Sequence, residues 1–193
     1  MAIMVLFRLC IMNKEIITLI KTSAFVSILV FALLICLGIK IGDSFSYAIS
    51  SALAFSVLFN CWIWKCPLLH TWLVWTPNLN GKWKCTIETM FDGNKKKVKA
   101  DVLIKQTFTS IYVMMESKES KSTSKNGLLE KEDGTEQVIL SYVYDNFPNV
   151  QIRNRSQIHI GAVRLVVKDK NTIEGEYWTD RKSVGMMLLT RNP

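Results

Sequence analysis

The chain has 193 residues, 49% of them hydrophobic, and a net charge of +8. That length holds one soluble domain and an anchor, and excludes two full globular domains. Its five cysteines fall mostly in or beside apolar N-terminal segments, and its two histidines, His70 and His159, lie far apart, so neither a disulfide framework nor a zinc-type metal site is expected.

Charge is distributed unevenly. Only five of the 24 Lys and Arg and two of the 16 Asp and Glu fall within the first 65 residues. Residues 1–21 read as an N-terminal segment carrying Arg8, Lys14 and Lys21; the stretch Met1–Met12 is apolar but too short to span a bilayer. Thr22 to Ile39 is an uncharged run that reaches roughly 27 Å as a helix, and Ser44 to Trp64 is a second that reaches roughly 31 Å. The turn between them is expected at Lys40-Ile41-Gly42-Asp43, so 22–64 reads as an antiparallel transmembrane hairpin. Cations flank its open ends, which places the N-terminus and the C-terminal domain in the cytoplasm by the positive-inside rule. A signal peptide is the competing reading of the first run; its length, the lack of a small-x-small cleavage site and the second span weigh against it. The small residues Ser46, Ala48, Ser50, Ser51, Ala52, Ala54 and Ser56 suit close helix packing, within the hairpin or between protomers. Trp62 and Trp64 beside Lys65 resemble an interfacial aromatic belt.

Residues 65–76 form a linker that opens on Lys65-Cys66-Pro67 and is rich in Trp and Leu. From residue 77 to 193 the hydrophobic period shifts towards two. Strands are predicted near Gly81–Phe91, Val98–Phe108, Ser110–Glu119, Lys125–Lys131, Glu136–Asp145, Gln157–Lys168, Thr172–Thr179 and Val184–Arg191. Turn signals stand at Asp92-Gly93-Asn94, Asp133-Gly134, Asp169-Lys170-Asn171 and Asp180-Arg181-Lys182. About eight strands at this spacing, with no helix between them, predict a small antiparallel up-and-down β-barrel, with a β-sandwich as the alternative. The fold class is therefore membrane-anchored all-β, two N-terminal transmembrane helices followed by a barrel.

No phosphate-binding glycine loop, serine elbow or His-Glu-x-x-His motif is present, so catalysis is not expected. A binding module remains. Aromatic faces for stacking and Arg donors for an anion make Tyr112, Tyr142, Tyr144, Trp178, Arg153, Arg155 and Arg181 the candidate ligand residues. Core packing for the tyrosines and ordinary surface charge for the arginines are the alternatives. Lys95-Lys96-Lys97 with Lys99 reads either as a solvated turn or as a phosphate or lipid contact.

Two stretches carry a family resemblance. One is Trp75-x-Pro77-x-Leu79-x-Gly81-x-Trp83, leading into the first strand; the other is the final hairpin, with Gly175, Tyr177, Arg181, Gly185 and Arg191. Behind a two-helix anchor, this resembles the two-transmembrane β-barrel effectors of bacterial cyclic-oligonucleotide anti-phage signalling (CBASS). The resemblance implies a cyclic dinucleotide as activating ligand, with no further cofactor and no DNA or RNA polymer as partner. It implies a nucleotidyltransferase that makes the signal, ligand-induced homo-oligomers, contact with membrane lipids, and inner-membrane disruption that ends in abortive infection. Lipocalin-like barrels share the Gly-x-Trp lead-in, so a membrane-held binder of a lipid or other apolar ligand is the second reading, and an assembly factor with a filled barrel the third.

Overall fold

The computed structural model describes residues 14–91, 94–132 and 134–192. The apolar stretch Met1–Met12 and the turn residues Asp92, Gly93 and Asp133 lie outside the described residues, as do the side chains of Met90, Phe91 and Asn94–Lys96. The chain divides into two units, Met1–Thr76 with Thr107–Thr109, and Pro77–Gln106 with Ser110–Pro193.

The first unit contains α1 (Lys14–Cys36) and α2 (Ile41–Cys61). Helix α1 starts at Lys14, ahead of the apolar run that begins at Thr22. The polar residues there do not break it, because Thr18 and Thr22 donate their hydroxyls back to the carbonyls of Lys14 and Thr18, each at 2.9 Å. The connection also falls earlier than expected. Gly38 takes φ +78 just past α1, Gly38 N–H donates to Ile35 O and Ile39 N–H to Leu34 O, which closes the helix with a left-handed cap. Gly42 and Asp43 then belong to the first turn of α2.

The helices pair as a hairpin with Ser23 Oγ and Ser56 Oγ 2.7 Å apart, and Ala48 and Ser44 are buried between them. Outward, Ile20, Phe25, Ile28 and Leu33 of α1 and Phe45, Leu53 and Val57 of α2 are each more than half exposed. Both helices are long and apolar enough to cross a membrane. Two 3₁₀ turns follow, Ile63–Lys65 and Pro67–Thr71. Trp62 is exposed as a belt residue would be, whereas Trp64 is fully buried among Phe59, Val74 and Phe108. Asn60 anchors the segment 107–109: its carbonyl accepts the Phe108 N–H at 2.9 Å, and its side-chain oxygen accepts from the Thr109 N–H and hydroxyl.

The second unit is a closed antiparallel barrel of eight strands. They are β1 (Gly81–Phe91), β2 (Asn94–Gln106), β3 (Ile111–Ser117), β4 (Ser120–Lys131), β5 (Val138–Pro148), β6 (His159–Val167), β7 (Thr172–Thr179) and β8 (Val184–Arg191). Each strand pairs with the next and β8 closes onto β1, giving the up-and-down order that the sequence pattern predicts. Odd-numbered residues of β1 and even-numbered residues of β2 face inward: Trp83 opposes Val102 and Cys85 opposes Ala100, all buried.

One end of the interior is filled. Trp83, Val102, Ile104, Val113, Leu140, Leu165, Ile173 and Leu189 are each 2% exposed or less. The two family motifs meet here. Gly81 takes φ +129 where the chain bends into the barrel, and the Trp83 indole donates to Leu79 O at 3.0 Å. Arg191 lies 4.5 Å from the centre of the Trp83 ring and donates to the carbonyls of Asn78, Asn80 and Lys170, each at 2.9 Å. The buried Gln106 amide is satisfied from both sides, accepting from Leu79 N–H and donating to Pro77 O. These residues lock the end of the barrel at which the chain enters.

Candidate functional site

The opposite end is open. Inward positions there, Ile87, Thr89, Val98, Met115, Ser117 and Tyr177, are only partly buried. They line a cavity of about 590 Å³ together with Tyr144, Asn146, His159 and Met187. That volume lies within the range of about 300–1,000 Å³ typical of small-molecule sites.

Two tyrosines shape the cavity, and each rests on a glycine. Tyr144 of β5 is the cross-strand partner of Gly161, and a Cβ added there would stand 2.3 Å from the tyrosine Cζ. Tyr177 of β7 is the partner of Gly185, whose Cβ would stand 2.6 Å from the ring. The missing side chains let both rings lie over the sheet instead of filling the lumen, the arrangement by which aromatics cover strand glycines. Burial pushes both phenols above their ordinary pKa; for Tyr144 the neighbouring Tyr177 and Asp180 add to this, and for Tyr177 a hydrogen bond with Thr89 opposes it. Both therefore stay neutral donors at physiological pH. Asn146, 7% exposed, adds an amide with both donor and acceptor character.

The rim is cationic. β3 pairs with β2 only along Ala100–Gln106, so the upper part of β2 has no partner strand on that side among the described residues. Lys97 and Lys99 of β2 and Lys118 of the β3–β4 turn line the cavity at this gap. Lys97 also meets Glu88 at 2.6 Å. On the facing side the loop Asn149–Ile158 carries Ser156, which accepts from Arg181 Nη1 at 3.0 Å.

The predicted ligand residues separate into four groups. Tyr144 lines the cavity, and Arg181 reaches its rim through Ser156. Tyr142 lies one inward position deeper, its ring 6.2 Å from that of Tyr144, buried in the core. Arg155 pairs with Glu119 at 2.8 Å on the rim, and Arg153 donates to Pro148 O, which fastens the loop. Tyr112 and Trp178 lie on the outer wall, 40% and 47% exposed, and do not reach the cavity. The structure adds Tyr177, Asn146 and Thr89, and the lysines Lys97, Lys99 and Lys118. Strand parity is the signal for the first of these: Trp178 shares a face with Glu174 and Glu176, so Tyr177 must face inward. The side chains of Lys95 and Lys96 lie outside the described residues.

Neutral phenols, an amide and apolar walls inside, with ammonium groups at the mouth, fit a ligand that combines flat polar rings with negative charge. Among the described residues no group of three His, Cys, Asp or Glu is placed to hold a metal ion.

Comparison with known proteins identifies the family. The chain is 29% identical over 185 residues to a CD-NTase-associated protein 15 of Staphylococcus schleiferi, covering 93% of this chain and 99% of that one. It is 28% identical over 168 residues to a CD-NTase-associated protein 15 of Escherichia albertii, covering 82% and 83%. The family model described as "Cap15, cyclic dinucleotide receptor domain" matches residues 74–191, which take in all eight strands. The chain belongs to the Cap15 family of cyclic dinucleotide receptor domains.

Proposed function

We propose that this chain is a membrane effector of CBASS anti-phage defence. In this account the cytoplasmic barrel binds a cyclic dinucleotide made by a partner nucleotidyltransferase. Protomers then associate, and the helices disrupt the inner membrane, so that the infected cell stops growing before phage matures. The half-open barrel carries this reading. A cyclic dinucleotide has two bases and two phosphates. Tyr144 and Tyr177 offer faces for the bases, and Lys97, Lys99 and Lys118 offer ammonium groups for the phosphates. Nothing in the site has to break or make a covalent bond; the protein acts by binding.

Ligand drives association only if it binds the associated state more tightly than the single protomer. On α2, Ser46 and Ser50 are exposed and donate to carbonyls of their own helix, Gly42 O and Ser46 O. Their hydroxyls are thus satisfied in lipid, and their small size permits close approach of a second hairpin. Ser56 and Ala48 are already used within the hairpin.

The apolar part of the lining, Ile87, Val98, Met115 and Met187, also suits a lipid-like ligand. Mass spectrometry of the purified full chain separates the two: the receptor reading expects no stoichiometric co-purified lipid. In cells, arrest and uptake of a membrane-impermeant dye are expected only when the intact chain and a cyclic-dinucleotide synthase are expressed together. Arrest that is indifferent to the synthase contradicts the reading.

A further inference from the structure

We propose that the stretch from Trp62 to Trp72 is a membrane-interfacial element, seated among the headgroups where α2 leaves the bilayer, an inference that rests on the membrane reading of the two helices. The sequence pattern marks residues 65–76 as a linker between anchor and barrel, but the stretch is folded. From the end of α2 onward its backbone closes on itself. Trp62 N–H donates to Leu58 O, Lys65 N–H to Trp62 O and Cys66 N–H to Ile63 O, and Leu73 N–H and Val74 N–H both donate to Leu69 O at 2.9 and 2.8 Å. Pro67 opens the second 3₁₀ turn without an N–H to satisfy, and the Thr71 hydroxyl donates to Leu68 O at 2.7 Å. Backbone paired in this way tolerates the water-poor boundary of a bilayer.

The second 3₁₀ turn is apolar on two faces. Leu69 and Leu73 pack against the cluster of Phe59, Trp64, Val74 and Phe108, which Phe55 of α2 and Leu19 of α1 also join. The residue before each of them is bare: Leu68 is 75% and Trp72 77% exposed, more than Phe25 and Leu53 on the outer faces of the helices, at 65% and 66%. Packing against Phe55 and Phe59 sets the depth. A helix of 21 residues is roughly 31 Å long against a hydrocarbon core of about 30 Å, so the end of α2 lies at the edge of that core and the turn fastened to it lies at the same level. Trp62, exposed at the end of α2, stands at this level too. Here an indole buries its rings in acyl chain and offers its N–H to headgroups. Charge agrees. Lys14 and Lys21 are exposed at this end of α1, and Lys65 ends the first 3₁₀ turn. Of the two carboxylates in the described part of this unit, Asp43 lies at the opposite end of the hairpin, and Glu15 is buried and accepts the Thr76 hydroxyl at 2.9 Å. Exposed apolar side chains with lysines and no exposed carboxylate suit acyl chains below and phosphates above. The bilayer is the occupant because this face continues the lipid-facing surface of α2 at the depth where that helix leaves the hydrocarbon. The stretch thus belongs to the anchor, and the chain runs from it through the buried Val74 and Thr76 directly into Pro77.

The test uses the full chain with Cys10, Cys36, Cys61 and Cys66 replaced by serine and the buried Cys85 retained. Leu68→Cys, Trp72→Cys, Leu53→Cys and Asn154→Cys are introduced singly and labelled with an environment-sensitive fluorophore. Each protein is reconstituted in phosphatidylethanolamine–phosphatidylglycerol liposomes, and quenching is compared for aqueous iodide, for a lipid spin-labelled close to the headgroup and for one labelled near the acyl-chain end. Leu53→Cys, in mid-helix, reports the membrane reading and should be quenched most by the deep label; Asn154→Cys, in the loop at the open end of the barrel, is the aqueous reference. A segment about 5–10 Å deep should be quenched at least about twofold more by the shallow label than by the deep one, and this is the result expected at positions 68 and 72. Iodide quenching there equal to that at position 154 overturns the proposal, as does shielding from both lipid and iodide, which would show that protein covers the face. If position 53 is quenched by lipid and positions 68 and 72 are not, this inference fails while the membrane reading stands; if position 53 is not quenched by lipid, both fail.

Discussion

The ring of Tyr144 covers Gly161, its partner across β5 and β6, so closely that a Cβ on the glycine would stand 2.3 Å from the ring. The cavity therefore exists because a glycine sits where any larger residue would push the tyrosine into the lumen. Gly161→Ala is expected to displace the ring and weaken cyclic-dinucleotide binding by about 1–3 kcal/mol, the range of a lost stacking contact. The same strain is expected to lower stability by about 1–3 kcal/mol. Calorimetry and thermal melting of the full chain in detergent check the two effects. Unchanged affinity in a folded variant would remove Tyr144 from the site.

The lysines at the rim make the binding salt-sensitive. Lys99→Gln and Lys118→Gln are each expected to weaken nucleotide binding about fivefold, or about 1 kcal/mol for an exposed contact to phosphate. The loss should shrink as salt rises, because screening already weakens such exposed charges. Lys170→Gln, at the closed end of the barrel, is the control and should leave affinity unchanged.

Arg191 closes the other end and should not touch ligand at all. Its three bonds to carbonyls and its stacking on Trp83 predict that Arg191→Ala lowers stability by about 2–4 kcal/mol. Arg191→Lys should recover only part of this, since an ammonium cannot reproduce the planar fork. Chemical denaturation measures both. A large loss of nucleotide affinity at full stability would contradict the assignment of this residue to the fold.

Alkali should unfold the barrel from within. Burial pushes the Cys85 thiol up to about 12 from its ordinary 9.0, and raises the Tyr142 phenol above its ordinary 10.0. The folded state holds these protons after the unfolded chain has released them. Stability is therefore fully present below about pH 9 and falls as pH rises towards about 12. Thermal melts across this window should show the decline, with a shallower early limb in Cys85→Ala. A melting temperature unaltered up to pH 11 would contradict the burial of both groups.

Much of the barrel is legible in the chain because turn residues bracket regular alternation. The ranges Gly81–Phe91, Thr172–Thr179 and Val184–Arg191 coincide with β1, β7 and β8. β2 begins earlier than its hydrophobic pattern, at Asn94, because the lysines from Lys95 to Lys99 read as a solvated turn although they pair along β1. The site is less legible. Trp178 and Tyr112 have the residue types of a stacking platform but the wrong parity; Trp178 shares its face with Glu174 and Glu176, and Tyr112 with Glu116. Lys97 and Lys99 are outward by parity, and they reach the cavity only because β3 ends at Ser117 and leaves a gap beside them. That gap depends on how strands of unequal length close into a ring, which no local pattern encodes.

The central claim is that the open half of the barrel binds a cyclic dinucleotide. The most direct measurement is calorimetric titration of the full chain, in detergent, with cyclic di-GMP, cyclic di-AMP and cyclic GMP–AMP, beside Gly161→Ala. Saturable binding of one of them at one site per chain, weakened in Gly161→Ala, is the predicted result. A flat response to all three from a folded chain, or binding that Gly161→Ala leaves untouched, would contradict the account.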